Sequence, residues 1–488
     1  MAKLDRQHVE DIVGLTPMQE GILFHYLKDP LSDEYFEQLC LEISGKVNEA
    51  HFAEAWESVI QTNEMLRTLF RWENVKAPVQ IILKQHPLQL ELHSLQDREE
   101  DDKRLQLNDI KTKDREKKFD LRKVPFRIAL CRLEEEKHEM IISSHHILFD
   151  GWSSGLLLKQ FMEAYRGFSR SENVVRPNKK RYKDFVKIIQ NQDKEQQKRF
   201  WQGVFEGFDS QTRLTSEIIK RPEERRDVHH RIRFSKDELE RFARQNEVTL
   251  ASLIYGVWGI VLQKNVNEDD IVFGTTVSGR SAWFQGIEEI VGLFINTIPL
   301  RVTRTPDESA IDLIRKVHGS LQSRDEHEHT PLADIKRYSG LDGQAELFDT
   351  IVVFENYPLD RTVTSKQGEI AFSSYSAFEM TNYDLTISVT IDDGIEVCFS
   401  CNEQVLGSSS VIRLAEHFAA IMKAVIRTPG KRVDQIEIIS AEEKKRILYD
   451  FNNTRTAFPD HAAVSRLFER QAVRTPDHTA VVCDGRTV

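Results

Sequence analysis

Apolar residues recur at the spacing of an α-helix in three separate stretches of the chain. Phe52, Trp56 and Val59 fall on one face when their segment is drawn as a helix. Residues 152–165 and 250–262 carry longer apolar patterns of the same kind. All three stretches are therefore predicted to be helices that bury an apolar face.

Two neighbouring apolar segments predict a β-hairpin. In residues 126–133 and 139–145, apolar side chains either alternate with polar ones or follow one another. Residues 134–137 between them are charged, mostly acidic, and have the composition of a turn. Further strands are predicted at residues 67–72, 270–277, 349–355 and 385–401. Because helices and mixed strands interleave along the chain, the pattern predicts an α/β or α+β sandwich.

The length of the chain allows more than one domain. Its 488 residues predict about two or three domain-sized units. Residues 169–181 contain few apolar side chains and one proline, so they are predicted to link two lobes. A second round of helices and strands begins near Arg231, and no sequence repeat between the two halves is obvious.

Composition and charge exclude several classes of protein. A hydrophobic fraction of 40% and a charged fraction of 30% are ordinary for a soluble globular protein. The net charge of -11, without a basic patch that contains aromatic residues, argues against a nucleic-acid partner. The sequence has no apolar run long enough to span a membrane and no secretory leader, so we expect a cytoplasmic protein with no membrane partner.

The cysteines predict free thiols. Cys40, Cys131, Cys398, Cys401 and Cys483 form an odd and scattered set, which is typical of reduced cytoplasmic thiols. Cys398 and Cys401 have the spacing of a redox or zinc motif, but they lie in an alternating strand pattern without a second pair. We therefore interpret them as structural, and we expect no metal site.

A pair of histidines stands where a predicted strand ends. Residues 145–151 read His-His-Ile-Leu-Phe-Asp-Gly, and they separate the apolar strand from a predicted helix. Histidine can exchange a proton near neutral pH, and loops at strand ends are common places for functional side chains. Asp150 and Gly151 favour a tight turn whose carboxylate can brace the loop. A second pair, His229 and His230, lacks this context and is interpreted as surface.

The histidine motif is the third of seven segments that resemble, in order, the core motifs of the condensation domains of nonribosomal peptide synthetases. The sixth is a looser match, because His329 stands where the family usually has an acid, and the seventh is a variant form. The seven segments are residues 15–25, 65–70, 145–151, 182–185, 291–297, 327–331 and 348–358. They cover about 350 residues, which makes the resemblance specific.

The resemblance implies a fold of two lobes, each similar to a chloramphenicol acetyltransferase subunit, in a V-shaped pseudo-dimer with the active site at the junction. We expect the first lobe, with the histidine motif, at residues 1–175 and the second lobe at residues 176–440. Residues 441–488 are expected to be a linker and the truncated start of an adenylation domain, because residues 467–482 resemble the opening of such a domain.

The resemblance also implies peptide-bond formation between a donor thioester and the α-amine of an acceptor thioester. His146 is expected to act on that amine, either as a general base or by orienting it through a hydrogen bond. His145 is expected to be a structural neighbour. Gly151 is expected to leave room for the substrate arm behind the histidine.

The expected brace of the loop is an ion pair of Asp150. Arg280 is the first candidate partner, because its segment would cross toward the first lobe, and Arg67 is the second. Ser278, Gly279 and Asn296 belong to a segment, residues 278–299, that the resemblance implies as the floor of the substrate channel.

The expected partners are an upstream donor carrier protein, a downstream acceptor carrier protein and an adjacent adenylation domain. The phosphopantetheine of the carriers would be a substrate tether, and no cofactor of the chain's own is expected. Residues 179–181 form a basic cluster that could contact an acidic carrier, or simply be part of a solvated linker.

Three other functions occur in this superfamily and compete with peptide-bond formation. An epimerization domain shares the histidine motif and would deprotonate a Cα atom. Heterocyclization domains replace the histidines by aspartates, which this chain does not do. A non-catalytic recruitment module of the same fold would bind a protein partner, but such modules usually depart from the motif that is intact here.

Overall fold

The computed structural model describes most of the chain. The described residues are 6–172, 180–209, 211–214, 227–280, 284–341, 346–355, 369–403, 405–457, 463–483 and 486–487. They divide into two units, Met1–Ile438 and Ile439–Val488.

The first unit contains both strands and helices throughout its length. The strands are β1 (Val9–Gly14), β2 (Phe36–Ser44), β3 (Thr68–Arg71), β4 (Val79–Leu83), β5 (Leu90–Ser94), β6 (Phe126–Arg132), β7 (Lys137–His145), β8 (Asp227–Phe234), β9 (Asp270–Val277), β10 (Asn296–Thr303), β11 (Thr350–Phe354), β12 (Ala371–Phe378), β13 (Leu385–Ile391) and β14 (Ile395–Asn402). The helices are α1 (Pro17–Lys28), α2 (Glu49–Thr62), α3 (Glu100–Glu116), α4 (Gly151–Ser169), α5 (Tyr182–Gln190), α6 (Lys194–Val204), α7 (Lys236–Gln245), α8 (Leu250–Val266), α9 (Ala310–Arg324), α10 (Leu332–Tyr338) and α11 (Ser408–Arg427). Short 3₁₀ turns lie at Arg6–His8, Glu64–Arg67, Ile287–Glu289, Asp325–His327 and Val433–Gln435.

The first lobe is built on a five-stranded sheet. Its strand order is β12-β2-β7-β6-β5, and all neighbours are antiparallel except β5 and β6. The predicted hairpin is confirmed as β6 and β7. Helices α2 and α4 pack together, and the rings of Trp56 and Phe161 stack at 5.0 Å in the core beside the sheet. A three-stranded sheet, in the order β1-β4-β3, completes the lobe.

The second lobe is built on a six-stranded sheet with the order β10-β9-β11-β13-β14-β8. Helix α8 is buried along most of its length, and it contacts α9 and α11. A helix that is apolar on all sides belongs inside a core, which accounts for the long apolar run at residues 250–262. The predicted strand at residues 385–401 is two strands, β13 and β14, because a tight turn at residues 392–394 reverses the chain. The mixed α/β prediction is confirmed.

Three later segments of the chain join the core of the first lobe. Helix α5 comes after residue 175, the expected lobe boundary. It nevertheless packs Tyr182 and Phe185 into the core of the first lobe, because burial removes its apolar face from water. Strand β12 leaves the second lobe and pairs with the edge of the first sheet at β2. Residues 284–294 also bury their apolar side chains there. Residues 173–179 of the predicted linker lie outside the described residues.

The second unit contains α12 (Ala441–Lys445), a π-helical turn at Arg446–Asp450 and α13 (Val464–Arg474). Its two short strands, β15 (Val482–Cys483) and β16 (Arg486–Thr487), pair antiparallel. Several large apolar side chains of this unit, among them Phe451 and Phe468, are exposed. That the unit opens an adenylation domain stays a prediction. Among the residues that the structure describes, no helix is long and apolar enough to cross a membrane.

The floor segment (residues 278–299) is tied to the first lobe through Asp150. The Asp150 carboxylate accepts hydrogen bonds from the backbone N–H of Ser153 and of Phe294, each at 3.0 Å. The first bond caps α4, and the second holds the floor segment. Nη2 of Arg280 lies 3.0 Å from Oδ1 of Asp150, and the two side chains are only 5% and 1% exposed.

Arg280 is itself held by the floor segment. Its Nη1 donates to the carbonyl oxygens of Ile287 and Ile290 at 2.7 and 3.0 Å. Its guanidinium lies 4.0 Å from the centre of the Phe294 ring. These contacts satisfy most of the donors of a buried cation, which is what a buried ion pair requires.

Arg67, the second candidate partner of Asp150, is engaged elsewhere. It forms an ion pair with Glu10 at 2.7 Å and also donates to the carbonyl oxygens of Ile60 and Leu83. Arg67 ends the short turn before β3, and it is therefore drawn to the end of β4 and to β1 rather than to the loop after β7.

The brace predicts a non-additive loss of stability. Asp150→Asn and Arg280→Ala should each lower the free energy of unfolding by about 3–5 kcal/mol, because each leaves a buried group without its partner. The double variant should lose much less than the sum. Urea denaturation of the four proteins measures the coupling. Arg67→Ala is the matched control, since its effect should add to that of Asp150→Asn, and additivity of Arg280→Ala with Asp150→Asn would contradict the brace.

Gly279 predicts a second effect on stability. Its φ is +61°, and a Cβ atom at this position would stand 1.8 Å from the carbonyl oxygen of Phe294. Gly279→Ala should therefore lower the free energy of unfolding by more than about 1–2 kcal/mol, the cost of the left-handed backbone alone. Gly319→Ala, in α9 with open space around it, is the control and should be neutral or stabilising. Equal denaturation midpoints for the two variants would contradict the strained turn.

Candidate active site

The histidine motif is placed by the end of β7 and the start of α4. His145 is the last residue of β7 and lies opposite Phe36 of β2. The backbone N–H of His146 donates to the carbonyl oxygen of Tyr35 at 2.8 Å, which extends the pairing by one step. Asp150 then caps α4, so the loop is fixed at both of its ends.

His146 is buried and has an oxygen acceptor at each ring nitrogen. Its Nδ1 lies 2.9 Å from the carbonyl oxygen of Phe149. Its Nε2 lies 3.5 Å from Oε1 of Glu37 and 3.6 Å from Oε1 of Glu379. Because a carbonyl can only accept, Nδ1 carries a hydrogen, and a second hydrogen on Nε2 would face two carboxylates.

These neighbours decide the charge of His146. Burial by itself lowers the pKa of His146, but the carboxylates of Glu37 and Glu379 and the Phe149 carbonyl oxygen outweigh it, and the pKa is raised. Burial in turn raises the pKa of Glu37, and the charge of His146 opposes that rise. These contacts favour the imidazolium form of His146, paired with the two glutamates.

The same three side chains form the one group in the described part of the chain whose ligand atoms are close enough to hold a metal ion. The Glu37, His146 and Glu379 atoms lie within 4.8 Å of one another. We interpret the group as an ion-paired cluster, because an imidazolium has no free lone pair for a metal.

His145 points into a different environment from His146. Its ring meets that of Tyr26 edge-on at 6.0 Å, and its Nδ1 accepts from the backbone N–H of Ile147 at 3.3 Å. Burial lowers the pKa of His145 to about 3, and the charge of His146 adds to the effect. His145 is therefore a neutral group that supports the loop.

A cavity of about 260 Å³ lies beside the motif and is lined by both lobes. Gly151 and the first turn of α4 form part of its wall. Its lining also includes the glutamates Glu37, Glu355, Glu379 and Glu396. Burial, followed by the repulsion of Glu379, raises the pKa of Glu355 to about 7.

The other predicted residues lie in the supporting structure. The side chain of Ser278 accepts from the backbone N–H of Arg280 at 3.3 Å, and Gly279 forms the turn between them. Asn296 donates to the carbonyl oxygens of Glu328 and Thr330 at 2.8 and 2.9 Å, which ties the floor segment to the sixth motif.

His329, the unusual residue of that sixth motif, is buried under the floor segment. Its ring lies 5.6 Å from that of Phe185. Burial lowers the pKa of His329 to about 4, so the residue is neutral. It serves as packing rather than as an acid.

Glu37 and Glu379 are absent from the residues that the sequence predicts for the site, whereas Glu355 lies within the seventh motif, residues 348–358. Glu37 lies on β2, and Glu379 follows β12, more than 200 residues away from the motif. No sequence pattern connects them to His146, because the contacts depend on the β2–β7 register and on the crossover of β12. His229 was interpreted as surface; it is exposed, but it also lines the cavity, with Nδ1 2.9 Å from the hydroxyl of Ser400.

The cysteines are free thiols, as predicted. Cys398 is buried in the wall of the cavity, and Cys401 lies three residues further along the same strand. Both cysteines are therefore structural residues of β14, which pairs with β13 and β8.

A family model and several known synthetases match nearly the whole chain. The family model described as "Condensation domain" matches residues 9–448. Bacitracin synthase 3 of Bacillus licheniformis is 33% identical over 484 residues, which cover 97% of this chain and 8% of that protein. Surfactin synthase subunit 2 of Bacillus subtilis (strain 168) is 32% identical over 492 residues, covering 99% of this chain and 14% of that protein. The chain thus spans only a small part of the relatives that it matches.

Solved structures show the same fold. The first condensation domain of the calcium-dependent antibiotic synthetase, in complex with a substrate analogue, superposes with a TM-score of 0.73 at 20% identity and covers 88% of this chain and 100% of that one. The X-domain from teicoplanin biosynthesis gives a TM-score of 0.74 at 19% identity over 90% of this chain and 99% of that one. The family model over residues 9–448 and the relatives that are more than 30% identical to this chain show that the chain belongs to the condensation-domain family.

Proposed function

We propose that this chain forms peptide bonds in nonribosomal peptide synthesis. The donor would be an aminoacyl or peptidyl thioester and the acceptor an aminoacyl thioester, each on the phosphopantetheine arm of a carrier protein. The observation that carries the proposal is the buried His146 of an intact His-His-Ile-Leu-Phe-Asp-Gly motif. Its Nε2 lies 3.5 and 3.6 Å from Glu37 and Glu379, which line a cavity shared by the two lobes.

The chemistry needs orientation more than activation. A thioester is intrinsically open to attack by an amine, so holding the two ends in line supplies much of the acceleration. A positioned proton acceptor adds about 10²–10⁴-fold. The raised pKa of His146 argues against a general-base role, because an imidazolium cannot take another proton.

The partners in this reaction would be carrier proteins and an adenylation domain, and the chain would need no cofactor of its own. The carriers would deliver the donor from an upstream module and the acceptor from a downstream one, and an adenylation domain would load the acceptor. The setting would be the cytoplasm, where such thioester intermediates are made. The basic residues Lys180 and Arg181 are engaged in the first unit, Arg181 through ion pairs with Glu10 and Glu64 and Lys180 over the Phe284 ring, so we do not assign the carrier contact to them.

His146→Ala should abolish dipeptidyl-carrier formation while the protein stays folded. The measurement uses excised carrier domains loaded with a panel of L- and D-amino acids, with the product detected by intact-protein mass spectrometry. Circular dichroism and a denaturation curve report the fold. His145→Ala is the comparison, because it should act mainly by lowering the free energy of unfolding. A folded His146→Ala protein that condenses at the wild-type rate would remove His146 from the reaction.

The same assay separates the alternative functions. An epimerization domain would exchange the Cα hydrogen of a loaded donor with deuterium from heavy water and form no dipeptide. A recruitment module would bind a protein partner and give neither product. Dipeptide formation without Cα exchange is the result that we expect.

A further inference from the structure

Two carboxylates beside His146 have no part in the function proposed so far. Glu37 is the second residue of β2, and Glu379 directly follows β12, the strand that crosses from the second lobe and pairs with β2. Their Oε1 atoms are 3.5 and 3.6 Å from Nε2 of His146. Both line the cavity next to the motif.

The position of Glu37 is fixed by the sheet. Glu37 lies opposite Ser144 in the β2–β7 pairing, and the hydroxyl of Ser144 donates to its Oε2 at 3.4 Å. The other oxygen, Oε1, is left to face His146 and the cavity. The Glu37 side chain is only 16% exposed, so water offers it little solvation.

Glu379 is held less tightly and is open to the cavity. Its side chain is 40% exposed, and it lines two adjoining cavities of about 260 and 180 Å³. One carboxylate is therefore fixed by the first lobe, and the other reaches the same point from the crossover strand.

The cluster carries more negative than positive charge. His146 supplies one positive charge against Glu37 and Glu379, and Glu355 lies on the same cavity wall. Among the described residues, no lysine or arginine forms an ion pair with any of these three glutamates. The nearby charge of Asp150 is matched by Arg280. Arg231 also lines the cavity, but it pairs with Glu396. Carboxylates with so little counter-charge favour a cationic ligand.

We propose that Glu37 and Glu379 form the subsite that binds the α-ammonium group of the acceptor and takes a proton from it. This rests on the proposed function, since that reaction brings such an ammonium group to His146. The Glu37 and Glu379 oxygens lie within 4.8 Å of each other and both side chains line the cavity, so one ammonium group can donate to both of them.

The protons of the step balance with a carboxylate as the acceptor. The acceptor ammonium gives one proton to Glu37 or Glu379 and becomes a free amine. Its nitrogen attacks the thioester carbon, the new C–N bond forms, and the C–S bond breaks. The thiolate leaves with the electron pair of that bond and takes the second N–H proton as the thiol. The neutral carboxyl then returns its proton to solvent.

This assignment gives each group of the cluster a separate task. His146 has an oxygen at both ring nitrogens, so it holds the carboxylates in place rather than taking the proton. Burial raises the pKa of Glu37, and a carboxyl of that kind can both accept and release a proton near neutral pH.

The subsite can be tested by binding alone. The probes are glycyl-aminopantetheine, an amide that cannot react as a thioester, and its glycolyl counterpart, in which a neutral hydroxyl replaces the ammonium. Isothermal titration calorimetry on the full chain gives the two dissociation constants. Wild type should bind the ammonium probe about 10-fold more tightly or better, the usual effect of a charge-assisted hydrogen bond.

Glu37→Gln and Glu379→Gln should each remove most of this preference and leave the glycolyl affinity unchanged. Glu42→Gln is the matched control: it lies on the same strand β2 and pairs with Lys137, away from the cavity lining. Glu379→Asp, which keeps the charge, should retain part of the preference. With loaded carriers, the two Gln variants should also slow dipeptide formation by at least the same factor.

Each outcome is decisive. If wild type binds both probes equally, or the Gln variants keep the preference, the ammonium subsite is wrong although condensation itself can stand. If wild type condenses loaded carriers and the Gln variants do so at the same rate, the carboxylates have no part in the proton transfer. If wild type neither binds the probes nor forms a dipeptide, the proposed function fails together with the subsite.

Discussion

The buried ion pair of Asp150 and Arg280 is the interaction on which the site depends. One carboxylate caps α4, receives the backbone N–H of Phe294 and neutralises Arg280. It therefore fixes the loop after β7 and the floor segment against each other, although the two are 130 residues apart. Two charges removed from water are stable only when most of their hydrogen bonds are satisfied. Here the floor carbonyl oxygens accept from Nη1 of Arg280, and Asp150 and Ser153 accept from Nη2. The conformation of the loop that carries His146 therefore depends on this ion pair.

The second constraint is electrostatic, and it acts on the protonation state of His146. The surroundings favour the neutral form of His145 and the charged form of His146, because His145 is surrounded by the core and His146 faces two carboxylates. In a site of low polarity these interactions are strong, and the same surroundings make unpaired carboxylates costly. The cavity is lined by four glutamates and one arginine, and that arginine, Arg231, pairs with Glu396. Such a cavity is suited to a positively charged nucleophile precursor, which is the chemical form in which an acceptor amine arrives.

Local patterns predicted much of this structure. The hairpin β6–β7, the helices α2 and α8, and the position of His146 at the end of a strand follow from periodicity within about twenty residues of sequence. The partner of Asp150 was narrowed to Arg280 or Arg67, and the tertiary structure separates them, because Arg67 is engaged by Glu10 beside β4. Glu37 and Glu379 could not be found in this way. Each is one of many acidic residues in the chain, and nothing in its local sequence marks it.

The sequence by itself determined the elements, the motif and the family resemblance, since these depend on residues that are neighbours along the chain or on a fixed order of motifs. Only the tertiary structure decided what stands around His146. The β2–β7 register places Glu37 there, and the crossover of β12 to the edge of the first sheet brings Glu379. A register and a crossover are set by the burial of whole sheet faces, to which many residues contribute a little each. For that reason the charge of the site, and with it the ligand that the site favours, is a property of the assembled sheets and cannot be read from the motif.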